Sequence, residues 1–160
     1  MSGTAPLTNA GVRFPPPFVY IAGLCLGWLL DRYVMMLPIP TTGDGIVWKI
    51  ADLLIVAGIL LSVWGIATFR SAQTSIVPNR SASRLVTSGP YRFTRNPMYT
   101  GLAMAYAGIA LLIGSYWPFI LLVVVLLIIL RLVILPEERY LAQAFGAEYA
   151  GYCARVRRWV

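Results

Sequence analysis

Long apolar stretches separated by shorter polar segments run through the 160-residue chain. Four of them approach the length of about 20 apolar residues that a membrane-spanning helix needs. They cover about 18–37, 46–69, 98–113 and 118–135. The last two belong to one uncharged run, which Gly114 and Pro118 divide because both residue types interrupt helices. The pattern therefore predicts four membrane-spanning helices, of which the last two form a tight hairpin.

The polar segments predict the rest of the organisation. The first 17 residues are polar and then proline-rich, and we expect them to be loosely ordered. Pro136 is expected to end the fourth span, because proline interrupts a helix. After Pro136, apolar side chains recur every three or four residues and predict an amphipathic helix. One face of this helix carries Glu138, Leu141, Phe145, Tyr149 and Tyr152.

The composition agrees with a membrane protein. Hydrophobic residues make up 59% of the chain and charged residues only 12%, whereas a soluble domain carries about 25% charged residues. This excludes a disordered tail, a coiled coil and an ordinary cytosolic enzyme. The predicted fold class is an all-α integral membrane protein with four transmembrane helices and a cytoplasmic C-terminal amphipathic helix.

The basic residues predict the orientation. The net charge is +7, and basic residues in short loops favour the cytoplasmic side of a membrane. A cytoplasmic N-terminus places Arg13 and the arginines of the middle and C-terminal segments on one face, and leaves only Arg32 and Lys49 opposite. We expect a multi-pass protein of a bacterial cytoplasmic membrane, bound to lipids rather than to nucleic acid, with its site facing the cytoplasm.

The residues that usually bind metals are scarce. Histidine is absent, and Cys25 and Cys153 lie far apart without a C-x-x-C pair. We therefore expect neither a metal site nor a disulfide framework.

Residues 85–101 form the first segment with potential chemistry. Asn96 followed by Pro97 predicts an N-cap and a first-turn proline, so the third span begins here. Free N–H groups at a helix start, beside Arg92 and Arg95, can bind an anion. The structural alternative is a helix start whose arginines contact lipid phosphates.

The second segment begins with Glu137 and Glu138, directly after Pro136. Acidic residues stabilise the first turn of a helix, and this is their structural interpretation. Two carboxylates at the mouth of a four-helix membrane bundle, opposite an arginine-rich loop, also indicate a functional site.

Together the two segments resemble the isoprenylcysteine carboxyl methyltransferase family of integral membrane methyltransferases. Residues 89–101 fit G-x-Y-x-x-x-R-[HN]-P-x-Y-x-G, and residues 137–156 fit E-E-x-x-L-x-x-x-F-G-x-x-Y-x-x-Y-x-x-x-V. The resemblance covers about residues 70–156, and the first two spans carry no signature. It divides the chain into a flexible N-terminus, 1–17, two transmembrane helices, 18–69, and a cofactor-binding methyltransferase region, 70–160.

The resemblance implies S-adenosylmethionine as cofactor, bound without a dinucleotide-binding fold. By position, it implies a cofactor pocket lined by Leu85, Val86, Tyr91, Asn96, Pro97, Met98, Tyr99 and Glu137. Asn96 stands where the best-studied members have histidine. The family's substrate-binding arginine falls at Val133, so Arg131 is the nearby residue expected to replace it. Glu138 is expected to accept a proton if the methyl acceptor is an amine.

The expected reaction is methyl transfer to a lipid-like or prenylated acceptor, for example a prenylcysteine-type carboxylate. One alternative is a membrane oxidoreductase of the sterol-reductase type that uses NADPH, and another is a non-enzymatic four-span protein. Gly23 and Gly27 form a G-x-x-x-G pair, which packs helices within a chain or between copies. We favour packing within a monomer.

Overall fold

The computed structural model describes residues 15–40, 45–72 and 85–159. The predicted loosely ordered segment, 1–17, lies almost wholly outside these ranges. The helices are α1 (Pro16–Tyr33), α2 (Ile46–Ser71), α3 (Pro97–Ile113), α4 (Tyr116–Ile129) and α5 (Leu135–Arg155), with a short 3-10 turn at Gly89–Arg92 and a π-helical turn at Leu130–Ile134. In these ranges the only β structure is an isolated bridge between Pro38 and Ser115. The all-helical class is confirmed.

Among the described residues, two helices have the length and composition of membrane spans, namely α2 and the continuous helix Tyr116–Arg155. The helix α3 is a shorter apolar helix. Large apolar side chains on the outer faces of α2 and α4 are exposed, among them Leu53, Leu60, Val123 and Leu127. Such continuous apolar surface is typical of a face that contacts lipid.

The helices α1 and α4 pack through the G-x-x-x-G pair. A side chain at Gly23 would meet Val125 and Tyr106, and one at Gly27 would meet the backbone of Pro118. The glycines therefore let α1 approach α3 and α4 closely within one chain, as the sequence analysis favoured.

Helices α2 and α3 also approach each other closely through glycines. A side chain at Gly108 would meet the backbone of Ala51, and Gly58 lies directly against the backbone of Gly101. This contact places the first turn of α3 beside the last turns of α2, where Gly65 lies against Met98. The N-terminus of α3, which carries the first signature, is thereby anchored.

The predicted tight hairpin between α3 and α4 is confirmed. Gly114 ends α3 in a left-handed conformation with φ 72°, and Ser115 precedes α4. The Ser115 hydroxyl donates to Asp31 over 2.7 Å, and the backbone N–H of Ile39 donates to the Gly114 carbonyl over 2.8 Å. These bonds join the hairpin turn to the last turn of α1 and to the segment after it.

The expectation that Pro136 ends the fourth span is wrong. The helix continues from Tyr116 to Arg155 through the π-helical turn. In that turn the N–H of Leu135 donates to the carbonyl of Leu130, five residues back. This wider turn accommodates a proline, which has no N–H and would clash with the carbonyl four residues back in a regular α-helix.

The helix α5 covers the segment in which the sequence predicts an amphipathic helix. Its Tyr149 and Tyr152 are buried and pack with Leu141, Phe145 and Leu85. Gly146 adopts φ 50° and ψ −120° inside the helix, so α5 bends there. The bend lets the apolar side chains on both sides of Gly146 join one cluster.

Candidate active site

Four segments meet at the end of the helices opposite Ser115. They are the 3-10 turn with the loop after it, the first turn of α3, the helix α5, and residues 156–159. They meet here because α3 begins at this end. The continuous helix Tyr116–Arg155 starts at the other end, beside Ser115, and runs back toward the start of α3. The Tyr152 hydroxyl donates to the carbonyl oxygen of Tyr91 over 2.7 Å and joins α5 to the 3-10 turn.

Glu137 lies just beyond the apolar part of its helix, which ends at Leu135. The Tyr99 hydroxyl donates to Oε1 of Glu137 over 2.8 Å. No lysine or arginine among the described residues forms an ion pair with Glu137. Burial raises the pKa of Glu137 to about 7, although the Tyr99 hydrogen bond lowers it, and the charge of Glu138 raises it further. The result is a partly buried carboxyl group that has no cationic partner among the described residues.

The hydroxyl of Tyr91 is a second polar group near Glu137. The side chain is 5% exposed, and its hydroxyl has no hydrogen-bond partner in the described part of the chain. Burial, together with the charge of Glu137, raises the pKa of Tyr91. The Phe69 ring packs edge-on against Tyr91, with ring centroids 5.1 Å apart. Because buried polar groups are almost always hydrogen-bonded, the unpaired hydroxyl indicates a place for a ligand group.

Glu138, unlike Glu137, is paired with basic side chains. The guanidinium of Arg158 donates two hydrogen bonds to it, from Nε over 2.9 Å and from Nη2 over 2.7 Å. Nη1 of Arg95 lies 3.2 Å from Oε1 of the same carboxylate. The hydrogen bonds to Glu138 raise the pKa of Arg158. Both carboxylate oxygens of Glu138 therefore already accept charged hydrogen bonds.

Asn96 holds the N-cap position of α3, as predicted, but its side chain does not cap the helix. The side-chain amide Nδ2 donates instead to the carbonyl oxygen of Arg158 over 2.9 Å. The backbone N–H of Asn96 is bonded to the hydroxyl oxygen of Thr94 over 3.2 Å. The expected side-chain cap is absent because the returning segment presents a carbonyl to the amide.

The structure brings together most of the residues predicted to line the site. Val86 and Pro97 are buried, and Leu85 packs on the tyrosine cluster of α5. Arg131 is exposed on the π-helical turn, and no hydrogen bond or ion pair in the described ranges joins it to either glutamate. Val133 is 3% exposed and belongs to the core.

Sequence reasoning missed Arg158 and the contact between Arg95 and Cys153. Nη1 of Arg95 lies 2.8 Å from the Cys153 sulfur. The presence of Glu138 could have suggested a basic partner, since a carboxylate near a membrane bundle is usually paired. The nearby run Arg155-Val-Arg-Arg158 offered several candidates, and only the fold selects one.

Comparison with known proteins gives one finding. The family model described as phospholipid methyltransferase matches residues 47–148, well over half of the chain. This range includes all of α2 but its first residue, the whole first signature, the hairpin and both glutamates. No curated protein and no solved structure matches the chain.

Proposed function

The chain belongs to the phospholipid methyltransferase family, and from that premise we propose that it is an integral membrane methyltransferase that uses S-adenosylmethionine. The proposed acceptor is lipid-like or prenylated, such as a prenylcysteine-type carboxylate. Membership in a family of membrane methyltransferases agrees with the resemblance that the two signatures carry. The cofactor and the acceptor are the parts that the proposal adds.

The observation that supports the cofactor is the partly buried carboxyl group of Glu137, which accepts a hydrogen bond from Tyr99 but pairs with no lysine or arginine among the described residues. A negative group away from water is costly unless a cation or hydrogen bonds compensate it. S-adenosylmethionine carries an ammonium group and a sulfonium cation. The faces of Tyr91 and Tyr99 can stabilise such cations by about 0.5–2 kcal/mol each. The unpaired Tyr91 hydroxyl offers a further hydrogen bond.

In this proposal each residue of the pocket has a distinct task. Glu137 accepts hydrogen bonds from the ammonium or a ribose hydroxyl, and Tyr99 orients Glu137. Asn96 uses one amide N–H on the carbonyl of Arg158 and keeps the second for the cofactor's carboxylate. The apolar positions Leu85, Val86, Pro97 and Met98 enclose the remainder of the cofactor.

The chemistry that the bound cofactor supplies is an electrophilic methyl group. The chain's own contribution is alignment, because an in-line displacement gains most of its acceleration from holding donor and acceptor in register. A carboxylate acceptor needs no general base. An amine acceptor must lose a proton, and Glu138 was expected to take it. Both oxygens of Glu138 already bind guanidinium groups. This geometry favours a carboxylate as the methyl acceptor over an amine.

The membrane arrangement that fits this site has four spans, with α1 and α3 completing the bundle around α2 and α4. The site then lies at the cytoplasmic face of a bacterial cytoplasmic membrane. An amphiphilic acceptor enters sideways between helices, because its tail prefers the hydrocarbon. In this proposal Arg131, which is exposed just beyond α4, contacts an anionic head group.

The decisive experiment compares two ligands on the purified protein in detergent. Calorimetry with S-adenosylhomocysteine should show binding, and calorimetry with NADPH should not. The opposite result would favour the sterol-reductase-type oxidoreductase, and binding of neither would favour a non-enzymatic protein. Labelled S-adenosylmethionine offered with extracted lipids and with prenylcysteine analogues then identifies the acceptor.

A further inference from the structure

The residues after α5 run back across the loop that precedes α3, and we call residues 156–159 the closing segment. The backbone N–H of Arg95 donates to the carbonyl oxygen of Arg157 over 2.9 Å. The Thr94 hydroxyl donates to the carbonyl oxygen of Arg158 over 3.1 Å. The closing segment thus lies along the first signature, although it follows the second signature in the chain.

Arg158 contacts both signatures at once. Its carbonyl oxygen accepts the hydrogen bond from the Asn96 side chain. Its guanidinium forms the two-pronged pair with Glu138, which also lies beside Arg95. A two-pronged arginine–carboxylate pair has a defined direction as well as strength. The pair therefore helps to hold the backbone of Arg158, and with it the carbonyl that accepts from Asn96.

We infer that Arg158 is a positioning residue of this site: its ion pair with Glu138 holds the closing segment, whose carbonyl orients the Asn96 amide. The inference rests on the proposed function, in which Asn96 contacts the cofactor's carboxylate. Without the guanidinium of Arg158, the carbonyl that accepts from Asn96 is held only by the Thr94 hydroxyl and by the neighbouring bond from Arg95 to Arg157, and its position is less well defined. The amide then loses the orientation that directs its second N–H to the cofactor.

Calorimetry with S-adenosylhomocysteine on the full chain tests this inference. Arg158→Gln should raise the dissociation constant about tenfold, roughly the effect of one lost charge-assisted contact. Arg158→Lys keeps the charge but not the two-pronged geometry, so its dissociation constant should lie between those of the parent and Arg158→Gln. Arg157→Gln is the matched control, because it removes the same charge from an exposed neighbouring side chain. It should bind like the parent.

The route through Asn96 has its own test. If Arg158 acts through Asn96, then Arg158→Gln should cost little further affinity in an Asn96→Ala background. Additive losses would overturn the inference. Equal affinities of Arg158→Gln and Arg157→Gln would overturn it too.

A second readout does not depend on the cofactor. Cys153 is half-buried and packs against Tyr149, Tyr152 and Val156, so release of the closing segment should expose it. In a Cys25→Ser background, alkylation of Cys153 should be several-fold faster in Arg158→Gln than in Arg157→Gln. Equal rates would contradict the positioning role. If the parent does not bind S-adenosylhomocysteine, the proposed function fails, and the alkylation rates still decide whether Arg158 holds the segment.

Discussion

Tyr99 and Glu137 lie 38 positions apart, and the hydroxyl of Tyr99 donates a 2.8 Å hydrogen bond to the carboxyl group of Glu137. Tyr99 belongs to the first signature and the first turn of α3, and Glu137 opens the second signature in α5. The hydroxyl of Tyr20 donates in turn to the carbonyl of Tyr99 over 3.1 Å, so α1 supports the same turn. This bond between the two signatures lies at the centre of the site.

Glu137→Gln should leave the protein folded and remove most of its affinity for S-adenosylhomocysteine. Glutamine keeps an oxygen for Tyr99 but loses the charge that would balance a bound ammonium. Removing one partner of a buried charged pair costs about 3–5 kcal/mol, or more than a hundredfold in the dissociation constant. Calorimetry on the variant measures it. Glu148→Gln, at an exposed position of α5, is the control, and unchanged binding by Glu137→Gln would exclude the role.

The stability of the ligand-free protein should fall as pH rises from about 4.5 to about 7. Glu137 binds its proton more tightly in the folded chain, because burial raises its pKa to about 7 from 4.5. The folded state therefore holds more protons in this window, and its relative stability decreases as they leave. The effect should approach about 3 kcal/mol at most. Thermal unfolding across this range measures it, and Glu137→Gln should remove the dependence that Glu148→Gln retains.

Binding of the cofactor should have the opposite dependence on pH. A cation favours the ionised form of Glu137, so affinity for S-adenosylmethionine should increase up to about pH 7 and then level off. Calorimetry in buffers of different ionisation enthalpy would detect the released proton near pH 6. An absence of proton release there would mean that Glu137 is not the group that balances the cation.

Tyr91→Phe should separate stability from binding. The Tyr91 hydroxyl has no partner in the described chain, and a buried unpaired group costs about 1–3 kcal/mol. Its removal should leave the melting temperature unchanged or raised, while affinity for S-adenosylhomocysteine falls. Tyr152→Phe is the contrast, since its hydroxyl donates to the Tyr91 carbonyl, and it should melt at a lower temperature. A lower melting temperature for Tyr91→Phe would show that its hydroxyl is already satisfied.

Asn96→Asp should lower the melting temperature and the affinity for S-adenosylhomocysteine more than Asn96→His or Asn96→Ser does. An ionised aspartate cannot donate to the Arg158 carbonyl, and it would oppose the cofactor's carboxylate. Histidine and serine both keep a donor. Melting temperature and affinity for S-adenosylhomocysteine should both decrease in the aspartate variant. An aspartate variant that matches the parent in both would contradict the amide's role as a donor.

Gly146→Ala should destabilise the protein, although an added methyl group would meet no atom within 4 Å. The backbone at Gly146 has φ 50° and ψ −120°, a conformation that costs other residues about 1–3 kcal/mol. Gly151→Ala, at a position in α5 with equally open space and ordinary helical backbone, should be neutral or stabilise the helix by up to about 1 kcal/mol. Thermal unfolding of the two variants compares them directly. Equal melting temperatures would show that α5 can straighten without loss.

The sequence by itself determined the helices, most of their ends and the two signatures. Apolar run length, the Gly114 break and the Asn96-Pro97 start are local properties, and each predicted an element that the structure contains. The close approach of α1 to its neighbours through Gly23 and Gly27 was also predictable, because small residues permit close helix packing whatever the partner.

Only the tertiary structure decided how the two glutamates differ. Adjacent helical residues point about 100° apart, so Glu137 and Glu138 cannot share one environment. Which of them faces Tyr99 depends on the rotation of α5, and the π-helical turn at Leu130–Ile134 shifts that rotation by about one residue. No local pattern reveals such a turn, and Pro136 suggested a helix end instead. The partner of Glu138 is Arg158, 20 residues away. Several similar arginines lie near it in the sequence, and only the tertiary packing determines which one reaches Glu138.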